Sequence, residues 1–401
     1  MQVNIKNADL FGTVKAIASK SFAHRLLICA ALSDTESEVI CAESSDDIEA
    51  TVRCLNALGA RISRTQDGFS IVPVTRKTIK SGSVLRCGES GATLRFLLPV
   101  SCALHANAVF YPEGRLPVRP LSPLYEELVS HGCTLSMQGT VPFQSGGQLK
   151  NGRFTLPGNI SSQFISGLLF ALPILDGDSI LTLTGDLESE SYIDMTLSAL
   201  LAFQIEVCVD EGKRLFQIKG NQAYRSPGLL QVESDWSNAA FWLCAGALSD
   251  RGITCTHLNP NSLQGDRAVT DILVRFGADI ETKGQSITVK RGRLRGIQID
   301  ARNIPDLVPA LCAVASVAEG ETVFINAQRL KTKESDRLLS VYETLSAMGA
   351  DIRKTGDGLV VNGKPCLDGG KVDSFGDHRI AMMAAVLSCI CKNEISITRA
   401  E

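Results

Sequence analysis

The chain has 401 residues, of which 44% are hydrophobic and 21% are charged, and its formal net charge is −3. This length and composition predict two or three globular domains and exclude intrinsic disorder, collagen and coiled coil. The near balance of charge, together with only two Trp and five Tyr residues, argues against nucleic acid as a partner.

The cysteine and histidine patterns exclude several kinds of site. The 13 cysteines include no C-x-x-C pair, and the five histidines form no H-E-x-x-H motif. A disulfide framework is therefore not expected, and no metal site is predicted. The polar N-terminus is not typical of a signal peptide. The apolar stretches 307–318 and 380–391 are too short to span a bilayer. We expect a cytoplasmic protein with no membrane partner.

In chain order, a predicted strand at residues 2–11 comes first, and two kinds of helix then alternate. One kind is strongly apolar and is predicted to be buried. Its members begin at intervals of 71, 71, 74, 71 and 71 residues, near Ser19, Ser90, Ser161, Asp235, Asp306 and Asp377. Chance periodicity would not hold this register along the whole chain.

The second kind of helix is amphipathic, and a strand and a hairpin follow it. Its ends recur at intervals of 73, 72, 73 and 72 residues, at Gly59, Gly132, Gln204, Gly277 and Gly349. Glycine at such a point suits a left-handed backbone at a helix C-terminus. We interpret the pattern as a β-α-β-α-β-β unit of about 70 residues that is repeated along the chain.

The repeats are six, but the last is incomplete. Six buried helices have only five amphipathic partners, and the sixth partner would fall near position 421, beyond Glu401. Either the sixth unit is shortened or this chain lacks a C-terminal segment, and the strand at 2–11 is expected to help close it. The predicted fold class is α/β, with two domains of three repeats each. One domain is predicted at residues 13–225 and the other at 1–12 plus 226–401.

The helix starts carry unusual charge for an acidic protein. Helix N-termini and basic side chains both bind phosphate and carboxylate groups. In a repeat fold, equivalent positions reach equivalent places, which would bring five cations around one cleft: Lys20, Arg119, Lys333, Arg337 and Arg379. Taken singly, each helix start is an ordinary cap. Asp306 and Glu334 are candidates for proton transfer. The stretch 358–365 has P-loop spacing, but Pro365 replaces the Ser or Thr, so a strand end is predicted there.

Several motifs together resemble one known family, the EPSP synthases (3-phosphoshikimate 1-carboxyvinyltransferases). They match in order and spacing over the whole chain, and they are SKSFAHR, GESGATLRF, GRLPVRP, SSQF, SYID, NIPDLVP, KTKESDR and GDHRIAM. The resemblance implies a two-domain inside-out α/β barrel with the active site in the interdomain cleft. It also implies a monomer with no metal or organic cofactor. The implied reaction moves the enolpyruvyl group of phosphoenolpyruvate to the 5-hydroxyl of shikimate 3-phosphate, and phosphate is released.

The resemblance also implies a role for each matching residue. Asp306 is implied as the base, Glu334 as the proton shuttle, and Lys20 as a further catalytic residue. The implied ligands of shikimate 3-phosphate are Lys20, Ser21, Arg25, Ser161, Ser162, Gln163, Ser189, Asp306 and Lys333. The implied ligands of phosphoenolpyruvate are Lys20, Gly91, Arg119, Gln163, Arg337 and Arg379.

Some positions depart from the family pattern. Glu89 stands where Asn is usual, Ala92 where Thr is usual, and Arg329 where Asn is common. A further phosphoenolpyruvate-binding Lys of the family would lie beyond residue 401. Two alternatives stay open: a related enolpyruvyl transferase with another acceptor, and a catalytically weak binding protein.

Overall fold

The computed structural model describes residues 1–7, 9–75 and 77–400. The chain forms two compact units. We call Met1–Ile17 with Ser234–Glu401 the discontinuous unit, and Ala18–Glu233 the continuous unit. Each unit has its own cluster of buried apolar side chains.

The described residues contain 11 α-helices, and each is flanked by strands. The α-helices are α1 (Lys20–Ala31), α2 (Asp46–Leu58), α3 (Gly91–Ala103), α4 (Leu124–Ser130), α5 (Ser162–Ala171), α6 (Glu190–Ala202), α7 (Trp236–Leu248), α8 (Val269–Phe276), α9 (Val308–Ala315), α10 (Arg337–Ala347) and α11 (His378–Leu387). Short 3-10 helices lie at Leu116–Val118, Leu172–Ile174, Gly265–Ala268, Pro305–Leu307, Gln328–Thr332 and Ser388–Ile390.

The same residues contain 23 short strands. They are β1 (Gln2–Ile5), β2 (Gly12–Lys15), β3 (Ser37–Ile40), β4 (Arg61–Arg64), β5 (Gly68–Val72), β6 (Val84–Gly88), β7 (Val109–Pro112), β8 (Cys133–Leu135), β9 (Phe143–Gly147), β10 (Arg153–Pro157), β11 (Ser179–Thr184), β12 (Val207–Val209), β13 (Leu215–Ile218), β14 (Leu229–Gln231), β15 (Ile253–Thr256), β16 (Asp279–Lys283), β17 (Ser286–Lys290), β18 (Gln298–Asp300), β19 (Glu321–Ile325), β20 (Asp351–Lys354), β21 (Leu359–Asn362), β22 (Gly370–Asp373) and β23 (Ile395–Thr398).

The sheets repeat one topology. Five are four-stranded, in the orders β14-β3-β5-β4, β6-β7-β9-β8, β10-β11-β13-β12, β2-β15-β17-β16 and β18-β19-β21-β20. In each, the first pair of strands is parallel and the other two pairs are antiparallel. A parallel pair needs a long crossover, which the buried helices α3, α5 and α9 supply for β6-β7, β10-β11 and β18-β19, whereas the antiparallel pairs need only short connections. The α/β class and the repeated β-α-β-α-β-β unit are therefore confirmed.

The unit boundaries lie later in the chain than the predicted 12/13 and 225/226 positions. Strand β2 pairs in parallel with β15, with Gly12 opposite Ile253, so it belongs to the discontinuous unit. Strand β14 pairs in parallel with β3, with Leu229 opposite Glu38, so it belongs to the continuous unit. Each strand is the first strand of a repeat whose helices lie elsewhere in the chain, which places the crossings after residues 17 and 233.

The sixth sheet has three strands, in the order β1-β23-β22. Strand β1 runs antiparallel to β23, with Gln2 opposite Thr398 and Ile5 opposite Ile395. The prediction that the N-terminal strand closes the last repeat is confirmed. The predicted strand at 2–11 was too long, because β1 ends at Ile5 and a separate strand begins at Gly12.

The helix ends follow the predicted spacing closely. All five predicted C-terminal positions have left-handed backbone, with φ of 118° at Gly59, 93° at Gly132, 57° at Gln204, 97° at Gly277 and 86° at Gly349. Five of the six predicted starts are N-caps, at Ser19, Ser90, Ser161, Asp235 and Asp377. The exception is Asp306, which lies inside the 3-10 turn Pro305–Leu307, one turn before α9.

The two long apolar stretches are core helices, as predicted. They form α9 and α11, which pack on each other and on α7. Among the residues that the structure describes, no helix has the length and apolarity needed to cross a membrane. The stretch with P-loop spacing contains strand β21 and opens no helix.

Candidate active site

Asp306 is the centre of a cationic cluster in the discontinuous unit. Its Oδ1 lies 2.7 Å from Nη1 of Arg337 and 3.3 Å from Nζ of Lys333. Its Oδ2 lies 3.4 Å from Nη2 of Arg379, whose Nη1 also donates to the Asp306 backbone carbonyl at 3.2 Å. Three predicted ligands therefore converge on the predicted base. This use of the side chain explains why Asp306 does not cap α9.

Arg337 connects that centre to two further carboxylates. Its Nη2 donates to Oε2 of Glu334 at 2.6 Å, and its Nε donates to Oδ2 of Asp377 at 2.8 Å. Asp377 caps α11 by accepting from the amide of Arg379 and also accepts from the hydroxyl of Ser335. Arg337 and Asp377 are both buried. The guanidinium is therefore fixed by the segment before α10, by the start of α11 and by the turn before α9.

The charges of this cluster shift one another's pKa values. Burial would raise the pKa of Asp306, but Arg379, Lys333 and Arg337 together hold it well below its usual range. Burial lowers the pKa of Lys333, and Asp306 opposes that effect only in part. Burial would lower the pKa of Arg337, but its three carboxylate partners raise it instead. Asp306 is therefore ionised at neutral pH, and Arg337 stays charged.

Asp266 is a buried carboxylate near this cluster that the sequence did not single out. It lies in the 3-10 helix Gly265–Ala268, and it accepts a short hydrogen bond from the hydroxyl of Ser237. Burial, reinforced by the negative charge of Asp306, raises the pKa of Asp266 to about 6. Asp266 and Asp306 thus have opposite pKa shifts within one unit.

In the continuous unit, the predicted ligand Lys20 is the first residue of α1. Its Nζ lies 2.8 Å from Oδ2 of Asp47, which belongs to the first turn of α2. This ion pair fixes the position of the ammonium, and it ties the N-terminal ends of two helices together. Asp47 was not predicted as a site residue.

Arg25 is one turn further along α1, and it is buried. Its Nη1 donates to the carbonyl of Ser21 at 2.7 Å, its Nη2 to the carbonyl of Tyr192 at 2.9 Å, and its Nε to the hydroxyl of Thr196 at 2.9 Å. Its guanidinium also lies 5.2 Å from the ring centroid of Phe96. Arg25 thus joins α1 to α6, and burial lowers its pKa to about 10.

Gly91 opens α3, and two arginines lie close to its Cα. A Cβ at this position would be 3.0 Å from Nη1 of Arg119 and 3.1 Å from Nη1 of Arg95. Arg95 in turn donates to Oε1 of Gln163 at 2.7 Å. The structure therefore brings three predicted phosphoenolpyruvate ligands together and adds Arg95. The Glu89 carboxylate is exposed and packs against Gly114.

The predicted serine ligands occupy helix starts in the same unit. Ser161 is the N-cap of α5, and Ser162 is the first residue of that helix. Ser21 is the second residue of α1. Ser189 is the N-cap of α6; it is buried, and its φ is 55°. Arg329 belongs to the 3-10 helix Gln328–Thr332 of the discontinuous unit.

Arg95 and Asp377 had a signal in the sequence, because each lies in a motif at the start of a buried helix. Their partners were not predictable in the same way. Asp377 meets Arg337 across 40 residues, and Arg95 meets Gln163 across 68. Such contacts depend on how the repeats pack and not on local spacing.

Comparison with known proteins identifies the family. The family model described as EPSP synthase (3-phosphoshikimate 1-carboxyvinyltransferase) matches residues 5–401. The chain belongs to the EPSP synthase family. It is 43% identical over 401 residues to the 3-phosphoshikimate 1-carboxyvinyltransferase of Clostridium kluyveri, covering 100% of this chain and 93% of that protein. The corresponding protein of Clostridium acetobutylicum is also 43% identical, over 403 residues, with the same coverage.

Solved structures agree with this assignment. An EPSP synthase from Acinetobacter baumannii superposes with a TM-score of 0.82 at 26% sequence identity, covering 100% of this chain and 94% of that chain. EPSP synthases transfer the enolpyruvyl group of phosphoenolpyruvate to shikimate 3-phosphate, in the shikimate pathway of aromatic amino acid biosynthesis, and the chain is a transferase of this kind.

Proposed function

We propose that the chain attaches the enolpyruvyl group to the 5-hydroxyl of shikimate 3-phosphate by addition and elimination, with Asp306 and Glu334 moving the protons. The observation that best supports this proposal is the convergence of Lys333, Arg337 and Arg379 around the Asp306 carboxylate. A partly buried carboxylate among three cations combines a proton acceptor with binding groups for phosphate and carboxylate.

In the proposed sequence, Glu334 gives a proton to the methylene carbon of phosphoenolpyruvate, and the adjacent carbon becomes cationic. Asp306 takes the proton from the 5-hydroxyl, whose oxygen attacks that carbon to form a tetrahedral intermediate. Glu334 then recovers the proton from the methyl group as the C–O bond to phosphate breaks, and the proton held by Asp306 leaves with the phosphate. The cations stabilise the charge that develops on the leaving phosphate.

The charge balance of the cluster suggests how substrate enters. Lys333, Arg337 and Arg379 are matched by three carboxylates, so an incoming anion has to displace one of them. Glu334 is the most accessible, since its side chain is 34% exposed against 13% for Asp306 and 0% for Asp377. We propose that phosphoenolpyruvate takes the place of Glu334 on Arg337, which frees the Glu334 carboxyl group for proton transfer.

The same exchange would strengthen Asp306 as a base. In the structure, three cations hold its pKa well below the usual range, which makes it a weak proton acceptor. When Arg337 and Arg379 turn toward a substrate anion, part of that stabilisation is lost and the pKa of Asp306 rises. The base would then become effective only after phosphoenolpyruvate is bound.

The proposal assigns residues of both units to the same pair of substrates. Shikimate 3-phosphate is assigned to Lys20, Ser21, Arg25, Ser161, Ser162, Gln163 and Ser189, with Asp306 and Lys333 from the discontinuous unit. Phosphoenolpyruvate is assigned to Lys20, Gly91, Arg119, Gln163, Arg337 and Arg379. Serine hydroxyls and helix N-termini suit the phosphate of the first substrate, and the bidentate arginines suit the carboxylate and phosphate of the second.

The decisive experiment is phosphate release by the 401-residue chain supplied with phosphoenolpyruvate and one acceptor at a time. Shikimate 3-phosphate is the test acceptor, and shikimate and UDP-N-acetylglucosamine are the controls. Release with shikimate 3-phosphate alone is expected. Release with UDP-N-acetylglucosamine would assign the chain to the related reaction, and no release with any acceptor would contradict catalysis by this chain.

We further propose a cytoplasmic monomer that needs no metal or organic cofactor. The supporting observation for the compartment is that all 13 cysteines lie in described residues as free thiols, most of them buried, as is usual in a reducing environment. Light scattering of the purified chain tests the monomer, and unchanged turnover after exhaustive chelation tests the independence from metal.

A further inference from the structure

A buried chain of hydrogen bonds joins the N-terminal regions of the three helices that carry Lys20, Asp47 and Gly91. His24 on α1 contacts the hydroxyl of Thr51 on α2 through Nδ1 at 2.7 Å. That hydroxyl lies 2.6 Å from the hydroxyl of Thr93 on α3. Thr93 in turn donates to Oγ of Ser90, the α3 N-cap, at 2.7 Å. All four side chains are buried.

The order of donors along this chain follows from its hydrogen count. Each threonine has one hydroxyl hydrogen, and Thr93 uses its own on Ser90. Thr51 must then donate to Thr93, and Nδ1–H of His24 must donate to Thr51. Burial lowers the pKa of His24 to about 3, with Lys20 and Arg25 adding to the effect and Asp47 opposing it. The imidazole is therefore neutral, and its one N–H is committed to Thr51.

Thr51 on α2 hydrogen-bonds to both of the other helices, to His24 on α1 and to Thr93 on α3. The hydroxyl of Thr93 also lies 3.5 Å from the carbonyl of Asp47, whose carboxylate holds Lys20. Two proposed ligands of phosphoenolpyruvate, Lys20 and Gly91, thus begin helices that Thr51 links by hydrogen bonds. The start of α3 also packs closely on Arg119, since a Cβ at Gly91 would be 3.0 Å from its Nη1.

We propose that Thr51 is a positioning residue for phosphoenolpyruvate binding: its hydroxyl, held between His24 and Thr93, fixes the start of α3 relative to the starts of α1 and α2. The inference rests on the proposed function for its substrate, but its structural part does not. Removing this hydroxyl leaves the N–H of His24 and the oxygen of Thr93 buried without that partner, which favours movement of α3. A shift of about 1 Å at a binding group lowers catalytic efficiency by up to roughly a hundredfold.

The test is Thr51→Val, which keeps the side-chain shape and removes the hydroxyl. We expect KM for phosphoenolpyruvate to rise roughly tenfold, with little change in kcat or in KM for shikimate 3-phosphate. Thr51→Ser keeps a hydroxyl, so its KM for phosphoenolpyruvate should be close to that of the parent chain. Thr93→Val removes the α3 partner of the same hydrogen bond. Because the two residues act as one unit, the double variant should be no worse than the poorer single variant.

The matched control is Ser101→Ala, near the other end of α3, where a buried hydroxyl donates to the carbonyl of Leu98 at 2.9 Å. It removes a hydrogen bond from the same helix without touching the chain of four residues. If this variant raises KM for phosphoenolpyruvate as much as Thr51→Val does, the effect is general destabilisation and the proposal is overturned. Additive effects of Thr51→Val and Thr93→Val would also overturn it.

A second measurement does not depend on turnover. Amide hydrogen exchange at residues 91–95 should quicken in Thr51→Val, while exchange near Ser101 stays as in the parent protein. If Thr51→Val fails to fold, Thr93→Val is compared with the parent chain by the same two readouts. Unchanged amide exchange at the start of α3 would refute the inference whether or not the parent chain releases phosphate. A lack of phosphate release by the parent chain would contradict only the proposed function.

Discussion

Replacing Arg337 by Met should destabilise the discontinuous unit strongly, and the structure gives the size of the effect. Arg337 is buried, and it bonds Asp306 at 2.7 Å, Asp377 at 2.8 Å and Glu334 at 2.6 Å. Glu334 is partly exposed and adds little because solvent screens it. Removing one partner of a buried ion pair costs about 3–5 kcal/mol, since the other charge stays buried. At about 2–4 °C per kcal/mol, the melting temperature should fall by roughly 6–20 °C.

The assay follows from where the tryptophans lie. Trp236 and Trp242 are the only two in the sequence, and both are on α7 of the discontinuous unit. Fluorescence-detected urea unfolding at pH 7 therefore reports on the unit that contains Arg337. Arg353→Met is the matched control in that unit, since its ion pair with Glu321 is exposed and should change stability little.

The pH dependence gives the sharper test. Burial would raise the pKa of Asp377, but Arg337 holds it below its usual value. The stability from that shift is present above the unfolded pKa of about 3.9 and is lost as pH falls through the folded pKa. Without Arg337, burial should raise the pKa, so the variant can take up a proton. Its stability deficit should therefore shrink between about pH 7 and 5. A deficit below about 1 kcal/mol, or one that is constant over this range, would refute the reasoning.

Four further variants test the cluster and the ligands. Lys20→Met should lower turnover at least about a hundredfold while changing the thermal midpoint little, since its ion pair with Asp47 is partly exposed to solvent. Normal turnover would contradict a role for Lys20 in the site. Glu334→Gln should lower kcat by about 10²–10⁴-fold. It should bind phosphoenolpyruvate at least as tightly as the parent chain, since the carboxylate that competes for Arg337 is gone. Weaker binding would contradict the proposal that phosphoenolpyruvate replaces Glu334 on Arg337. Gly91→Ala should raise KM for phosphoenolpyruvate roughly tenfold, because the new methyl group displaces Arg119. An unchanged KM would show that the start of α3 does not contact phosphoenolpyruvate. The raised pKa of Asp266 stabilises the native state at low pH, and this stability is lost as the pH rises from about 4 to 7. Asp266→Asn should remove that pH dependence, and an unchanged dependence of the urea midpoint on pH would contradict the raised pKa.

The regular parts of the fold were predictable because local rules set them. A residue with left-handed backbone follows each amphipathic helix. The regular spacing predicts this position even at Gln204, where glycine is absent. Ser or Asp caps mark the buried helices for a similar reason. The sheets that strands β2 and β14 join could not be predicted in detail. Both strands are only three or four residues long, and parallel pairing depends on partners far away in the chain.

The site was predictable as a set of residues but not as a set of contacts. The resemblance assigned Asp306 and Lys333 to shikimate 3-phosphate and Arg337 and Arg379 to phosphoenolpyruvate, and the structure brings these four together. The sequence did not show that Asp377 anchors Arg337, because a cap residue and a distant arginine carry no shared pattern. The tie through Thr51 was missed for the same reason: a threonine inside an amphipathic helix is most often only part of its packing.

The caps of the two units differ in a way that explains how one repeat supplies two kinds of site. In the continuous unit the buried helices begin with the neutral caps Ser19, Ser90 and Ser161, so the positive end of each helix dipole is not neutralised by a cap charge. In the discontinuous unit the equivalent residues are Asp235, Asp306 and Asp377, whose carboxylates oppose the binding of an anion. Anion binding there requires added cations, which α10, the loop before it and α11 supply. The same cations hold the pKa of Asp306 well below its usual range, and in the proposed reaction they turn toward the substrate anion, so that the aspartate becomes a stronger base.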